Sequence, residues 1–211
     1  MYFTATFATT CFSILLLSAT ACHADDSPES IKIRIGTGDP VAGKDKSAIC
    51  QGCHGEDGNS AAPEYPKLAG QYAIFIQKQI RDFKSGKRKD PVMSEMAASV
   101  TEEQDLLDIS AYFASQNQMT AAKRITNKNG KARFLEAGNS CINCHGEEGK
   151  GKSPKDAPVI GGQHREYIAK QLKAFKSGER SNDASGMMAI VASGMDDDQI
   201  EEVAIYVSGR K

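Results

Sequence analysis

Apolar residues recur along this chain with the period of an α-helix, and the same pattern is written twice. In the first half Ile74, Gln77, Ile80 and Phe83 fall on one face, and the run stops at Ser85-Gly86. Glycine takes the left-handed conformation that ends helices, so a helix is predicted here. In the second half Ile168, Leu172 and Phe175 repeat the face, and Ser177-Gly178 repeats the stop. Further on, Thr101 with Gln104 reads as a capping box opening a helix through Leu106, Ile109 and Phe113. Ile200, Val203 and Val207 carry the matching face. "AGKDKSAIC" and "GKARFLEAGNSC" each read as a helix running into a cysteine motif. No convincing strand pattern occurs, so the expected fold class is all-α.

The repetition extends beyond the helices. "CQGCHGEDGNS" at residues 50–60 returns 91 residues later as "CINCHGEEGKG" at residues 141–151. "PKLAGQYAIFIQKQIRDFKSGKR" matches "PVIGGQHREYIAKQLKAFKSGER", and "DPVMSEMAAS" faces "SGMMAIVASG". A repeat this long, in two copies, means two tandem domains rather than a solenoid. The expected boundaries are 40–120 and 125–211. The polar stretch "NQMTAAKRITNKNG" lies between them and reads as the linker.

At 40% hydrophobic and 25% charged residues the composition is that of an ordinary globular protein. Residues 1–24 differ: they hold no Lys, Arg, Asp or Glu, have an apolar centre at Phe12–Leu17, and end in small residues. That order reads as an export signal cleaved after Ala24 or Ala21, which places the mature chain outside the cytoplasm. Whether Cys22 is removed or lipidated is open. Residues 25–39 form a polar N-terminal extension with no assigned role.

Four cysteines remain: Cys50, Cys53, Cys141 and Cys144. A four-thiolate zinc site would need pairs from separate domains and would leave His54 and His145 unexplained. Thioredoxin-like chemistry needs a βαβ setting that is absent. C-x-x-C-H is the attachment signal for c-type haem, and it uses every residue: two thiols form thioethers, and the adjacent imidazole ligates iron. Two covalently bound haem c groups are therefore expected.

The second axial ligand separates an electron carrier from an enzyme, since an open iron binds reactants and a filled one passes electrons. His164 stands where the first copy has Tyr72 and reads as an exposed histidine at a helix start. Methionines occur at matched places: Met93 and Met96 in one copy, Met187 and Met188 in the other. Counted to the shared tyrosine, Met93 lies 19 before Tyr112, Met187 lies 19 before Tyr206, and Met188 lies 18 before it. Spacing favours Met93 over Met96 and leaves Met187 and Met188 undecided. Met119 and Met195 have no counterparts and read as packing residues. Pro66 and Pro158 recur in the loop on the histidine side and read equally as plain turn prolines or as presenting a carbonyl to the ring N–H of His54 or His145.

Together the C-x-x-C-H motif, the P-K-L-x-G-Q loop, the K-S-G helix end, the methionine segment and the final A-Y-F helix, all duplicated, resemble the di-haem class I cytochromes c of the cytochrome c-four family. The resemblance covers about residues 40 to 211. It implies two cytochrome c domains related by pseudo-twofold symmetry, with haems facing across the interface. It implies attachment through Cys50, Cys53, Cys141 and Cys144, ligation by His54 and His145, and Met93 and Met188 as the opposite ligands. It further implies a periplasmic carrier of single electrons, soluble or membrane-attached, passing them from a membrane cytochrome complex toward a terminal oxidase or reductase. A cytochrome subunit of a flavocytochrome dehydrogenase is the alternative, and a di-haem peroxidase a weaker one.

The formal charge is −1, unevenly divided: residues 25–122 net −4 and residues 123–211 net +3. Such a dipole orients a molecule toward different partners and is screened by salt. "KSGKRK" is too short for nucleic-acid binding and reads as a helix end.

Overall fold

A proline preceded by a short oxygen-bearing side chain opens three of the helices. Ser27 caps Ser30 N ahead of α1, Pro28–Ile35, and Asp39 accepts from Val41 N at 2.8 Å ahead of α2, Pro40–Lys46. Asp90 accepts from Met93 N at 3.1 Å ahead of α5, Pro91–Ala98. Proline suits a first turn because it lacks only a donor that the helix does not use. The remaining helices of the first half are α3, Ala48–His54; α4, Ala73–Lys84; and α6, Glu103–Ser115. The second half holds α7, Lys128–Leu135; α8, Cys141–His145; α9, Arg165–Ser177; α10, Met187–Ser193; and α11, Asp197–Ser208. A 3₁₀ turn, Glu147–Gly149, follows α8. This computed structural model describes residues 27–119, 121, 123–136, 141–152, 157–183 and 185–210, and among them there is no strand. The expected export signal, with Cys11, Cys22 and His23, lies outside the described residues. Among the described residues no helix is long and apolar enough to cross a membrane.

Each half is built on a helix crossing. α2 lies across α6, and α7 lies across α11. A glycine sits at each contact. A Cβ on Gly43 would come within 2.0 Å of Asp108 O, and one on Gly130 within 2.1 Å of Glu202 O. The absent side chain lets the backbones touch. α4 then packs on α5 and α6, as α9 packs on α10 and α11. One core gathers Ile76, Ile80, Phe83, Leu106, Ile109 and Phe113. Its counterpart gathers Ile168, Leu172, Phe134, Ile200, Val203 and Val207. Met195 is buried in the second core as apolar filler, and Met119 is buried between the halves.

The crossing in the first half carries a buried carboxylate. Asp108 accepts from Lys46 Nζ at 2.6 Å, Asp39 N at 2.9 Å and Gln104 Nε2 at 2.7 Å. The Lys46 and Asp39 bonds hold its pKa down at about 2 against the opposing effect of burial.

Three expectations of local structure need correction. The capping box at Thr101 and Gln104 does not form: α6 starts at Glu103, and Gln104 turns instead to Asp108. The repeat places a capping box only in the second half, at Asp196 and Gln199. The residue matching Gln199 is Asp105, which is engaged by Lys46 at 2.8 Å. Ile74 is 52% exposed, because the buried face of α4 runs through Ala73, Ile76, Gln77, Ile80 and Phe83. The segment before Cys50 is two helices, broken at Ser47, whose hydroxyl bonds back to Lys44 O. The N-terminal extension, to which the sequence assigned no role, is structured. It forms α1 against α6, where buried Arg34 donates from Nε to Ala114 O at 2.8 Å and so satisfies a helix-end carbonyl.

Reciprocal contacts relate the two halves by a pseudo-twofold operation. His164 of the second half reaches Ser60 of the first, while Tyr72, its counterpart, lies against Gly151, the counterpart of Ser60. The Ser60 hydroxyl donates to Tyr65 O, so His164 Nε2 carries the hydrogen and donates to Ser60 Oγ and O at 2.9 and 3.0 Å. His164 does stand at a helix start, but half-buried in this interface rather than exposed. Deeper in the interface, Arg88 bonds Gln79 and, across it, Gln171 and Tyr167. Arg180 likewise bonds Gln171 and, across it, Gln79. Each guanidinium lies over a phenylalanine, Arg88 on Phe83 and Arg180 on Phe175. Burial, aided by the neighbouring Arg88 charge, pushes the Arg180 pKa down to about 10.

Candidate functional site

The first cysteine motif closes α3 and the second forms α8, and in both the histidine that follows Cys-x-x-Cys is carried inward. His54 and His145 are buried; Cys50 and Cys141 are half-buried, and Cys53 and Cys144 exposed. None of the four is in a disulfide. Burial pushes the Cys50 and Cys141 thiols up and the His54 and His145 imidazoles down from their ordinary values.

The loop after each motif is folded back under the histidine. Gly58 O accepts from Leu68 N and Ala69 N, and Gly149 O accepts from Ile160 N and Gly161 N. Both glycines have positive φ and lie so close to the returning chain that a Cβ would meet it at 2.8 to 2.9 Å. The return brings a proline carbonyl to each ring: His54 Nδ1 lies 2.7 Å from Pro66 O, and His145 Nδ1 lies 2.9 Å from Pro158 O. A carbonyl only accepts, so Nδ1 carries the hydrogen and Nε2 keeps its lone pair for a metal.

On the core side, Met93 and Cys50 are packed against the same apolar cluster, and Met188 and Cys141 against its counterpart. Met187 is 49% exposed. Met96 is half-buried and stands outside the cluster that holds Met93. Among the described residues no three His, Cys, Asp or Glu side chains converge on a metal-sized position, so the cysteine pairs do not form a shared four-thiolate site. The donor set in each half fits haem c: two unpaired thiols, an imidazole with a free Nε2, and a thioether at the same core.

Sequence reasoning missed the residues that join the two halves. Gln71 and Gln163 are buried, and each side chain crosses to the other half's proline loop. Gln163 Oε1 accepts from Lys67 N and its Nε2 donates to Lys67 O, both at 2.9 Å. Gln71 Oε1 accepts from Val159 N at 3.0 Å and its Nε2 donates to Val159 O at 2.8 Å. The recurring Gly-Gln was the available signal, though nothing in it identified a partner.

Comparison with known proteins finds the same duplication. The cytochrome c family model matches the chain twice, at residues 41–117 and 127–211. Cytochrome c4 of Pseudomonas aeruginosa is 40% identical over 180 residues, covering 82% of this chain and 89% of its own length. The thiosulfate dehydrogenase electron acceptor of Stutzerimonas stutzeri is 33% identical, covering 74% and 76%. The crystal structure of reduced recombinant cytochrome c4 from Pseudomonas stutzeri superposes with a TM-score of 0.76 at 38% identity, over 82% of this chain and all of that one.

Proposed function

Because this chain belongs to the cytochrome c4 family of di-haem cytochromes c, we propose that it is an exported carrier that passes single electrons between a respiratory donor and a terminal oxidase or reductase. It is an electron-transfer protein with two covalently bound haem c groups. In this reading Cys50 and Cys53 hold one haem and Cys141 and Cys144 the other, within domains spanning about residues 40–120 and 125–211. His54 and His145 are the proximal ligands, and Met93 and Met188 complete the coordination.

Each bound haem supplies one reversible iron oxidation, and imidazole–thioether ligation sets it at a fairly positive potential. The chain's own residues supply the rest. Pro66 O and Pro158 O orient the imidazoles and fix which nitrogen is free. The apolar clusters around Met93 and Met188 exclude water and favour the less charged reduced state. The proline–histidine bond in both halves, with a methionine at the same core, is the observation that carries the proposal.

Expression of the full chain with haem attachment tests it. Pyridine haemochrome analysis should give two haems per chain, with low-spin ferric spectra, a methionine-to-iron charge-transfer band and no carbon monoxide binding without denaturation. Fewer haems, or a high-spin iron that binds carbon monoxide, would refute it. Export is tested by N-terminal sequencing of the mature protein. A second reading, dedicated electron acceptor of a dehydrogenase, is supported by the likeness to the thiosulfate dehydrogenase electron acceptor. Rapid reduction by such a dehydrogenase, with slow transfer to an oxidase, would favour it.

A further inference from the structure

Each proline loop joins two hydrogen bonds through one peptide unit. The Pro66 carbonyl accepts from His54, and the N–H of that same peptide, on Lys67, donates to Gln163 of the other domain. The Pro158 carbonyl accepts from His145, and the N–H of its peptide, on Val159, donates to Gln71. A peptide is one resonance system. An acceptor on its N–H moves charge onto its oxygen and strengthens the bond that the oxygen accepts, by roughly 10–30% per bond in such chains.

Further contacts hold each glutamine in place. Gln163 Oε1 also accepts from His164 N at 3.0 Å, and Gln71 Oε1 from Tyr72 N at 3.0 Å. Gln163 Nε2 lies 3.6 Å from Met119 Sδ. These contacts fix which end of each amide faces the peptide N–H. The geometry is doubled by the pseudo-twofold relation, and both side chains are shielded from water.

We propose that the interface glutamines set reduction potentials across the domain boundary: Gln163 tunes the haem ligated by His54, and Gln71 tunes the haem ligated by His145. They act through the proline peptides and are positioning residues. A stronger Pro66 acceptor makes His54 a more electron-rich ligand, which favours ferric iron and lowers the potential. Removing Gln163 weakens that acceptor and raises the potential of the opposite domain's haem. The inference rests on the ligation by His54 and His145 proposed above.

The experiment uses the full holoprotein with Gln163→Met and Gln71→Met, which keep side-chain length and remove both bonds. Each haem is followed separately by its assigned haem-methyl NMR lines during a redox titration. Gln163→Met should shift the His54 haem to more positive potential and leave the His145 haem unmoved; Gln71→Met should do the reverse. A shift in the mutated residue's own domain, an equal shift of both haems, or no shift would overturn the proposal. Gln163→Glu, which keeps an acceptor for Lys67 N–H, guards against a folding failure. It should leave the His54 haem at or below its wild-type potential, and a rise there would equally overturn the proposal. The unaltered protein is assayed first for two haems and the methionine band. Their absence refutes the ligation, whereas their presence with uncrossed shifts refutes the crossed tuning alone.

Discussion

Replacing Gly43 with alanine tests whether the α2–α6 crossing is set by backbone contact. Ordinarily Gly→Ala inside a helix stabilises by about 1 kcal/mol through propensity and unfolded-state entropy. Here the new methyl would lie 2.0 Å from Asp108 O and 2.9 Å from the Tyr112 Cβ. Carbon needs about 3.5 Å, so the helices must part by about 1 Å or more, and a gap of that size forfeits roughly a quarter to a half of each dispersion contact along the seam. Overpacking of this kind costs about 1–3 kcal/mol, and the upper end applies because the obstacle is main chain. Parting the helices also pulls Lys46 and Asp39 N from Asp108, leaving a buried carboxylate short of partners. After the propensity gain is offset, a net loss of about 2 kcal/mol or more is expected. The assay is urea unfolding of the holoprotein followed by circular dichroism. A Gly43→Ala protein as stable as the wild type would refute the reasoning. Gly130→Ala should repeat the loss in the other half, where Glu202 O stands at 2.1 Å.

The Asp108 pKa of about 2 lies below the unfolded carboxylate value, so its contribution to stability is complete above about pH 4 and is lost as pH falls toward 2. Acid unfolding titrations should show that component, and Asp108→Asn should remove it; an unchanged acid limb would contradict the assignment. His164 is held below the ordinary imidazole value by burial and then by Lys67, against the opposite pull of Ser60, Glu166 and Glu64. Its interface contribution is therefore complete above about pH 6.5 and declines as pH falls below it. Comparing urea midpoints at neutral pH and about pH 5.5 for the wild type and His164→Gln checks this, since the variant should lose less. Met93→Ala and Met188→Ala should each remove about half of the methionine-to-iron band, while Met96→Ala and Met187→Ala leave it intact; the opposite pattern would reassign the ligands.

Local chemistry was legible in the letters wherever a residue's job depends on near neighbours. The α4 and α9 stops at Gly86 and Gly178, the apolar faces of α6 and α11, and the all-helical class follow from periodicity and glycine placement. Misreadings arose where a buried group claimed a partner that the local pattern assigned elsewhere. Gln104 satisfied the capping pattern on paper, yet Asp108, four residues on, is buried and requires donors, so it claims the amide. α1 was overlooked because it has little amphipathic pattern. Its signs were smaller, Ser27-Pro28 at the start and Gly36 at the end, and its anchor is one arginine on a distant carbonyl. Spacing could not order Met187 and Met188. Packing separates them, because only Met188 is turned onto the core that holds Cys141.

The residues that join the two domains were illegible for a different reason, although the resemblance implied their pseudo-twofold relation. Duplication of a sequence announces two similar units but carries no information on how they meet. Here several of the joining bonds end on backbone: Gln71 and Gln163 read peptide groups of Val159 and Lys67, and His164 reads the carbonyl of Ser60 beside its hydroxyl. A peptide group is common to almost every residue, so its partner leaves no complementary letter to find. What the repeat does preserve is the need for both copies at once. A glutamine at one position alone would satisfy one proline loop and leave the other peptide N–H buried without an acceptor, at a cost of about 1–3 kcal/mol. The recurrence of Gly-Gln in both halves is thus what a closed, reciprocal interface demands, and it ties each histidine's environment to the presence of the other domain.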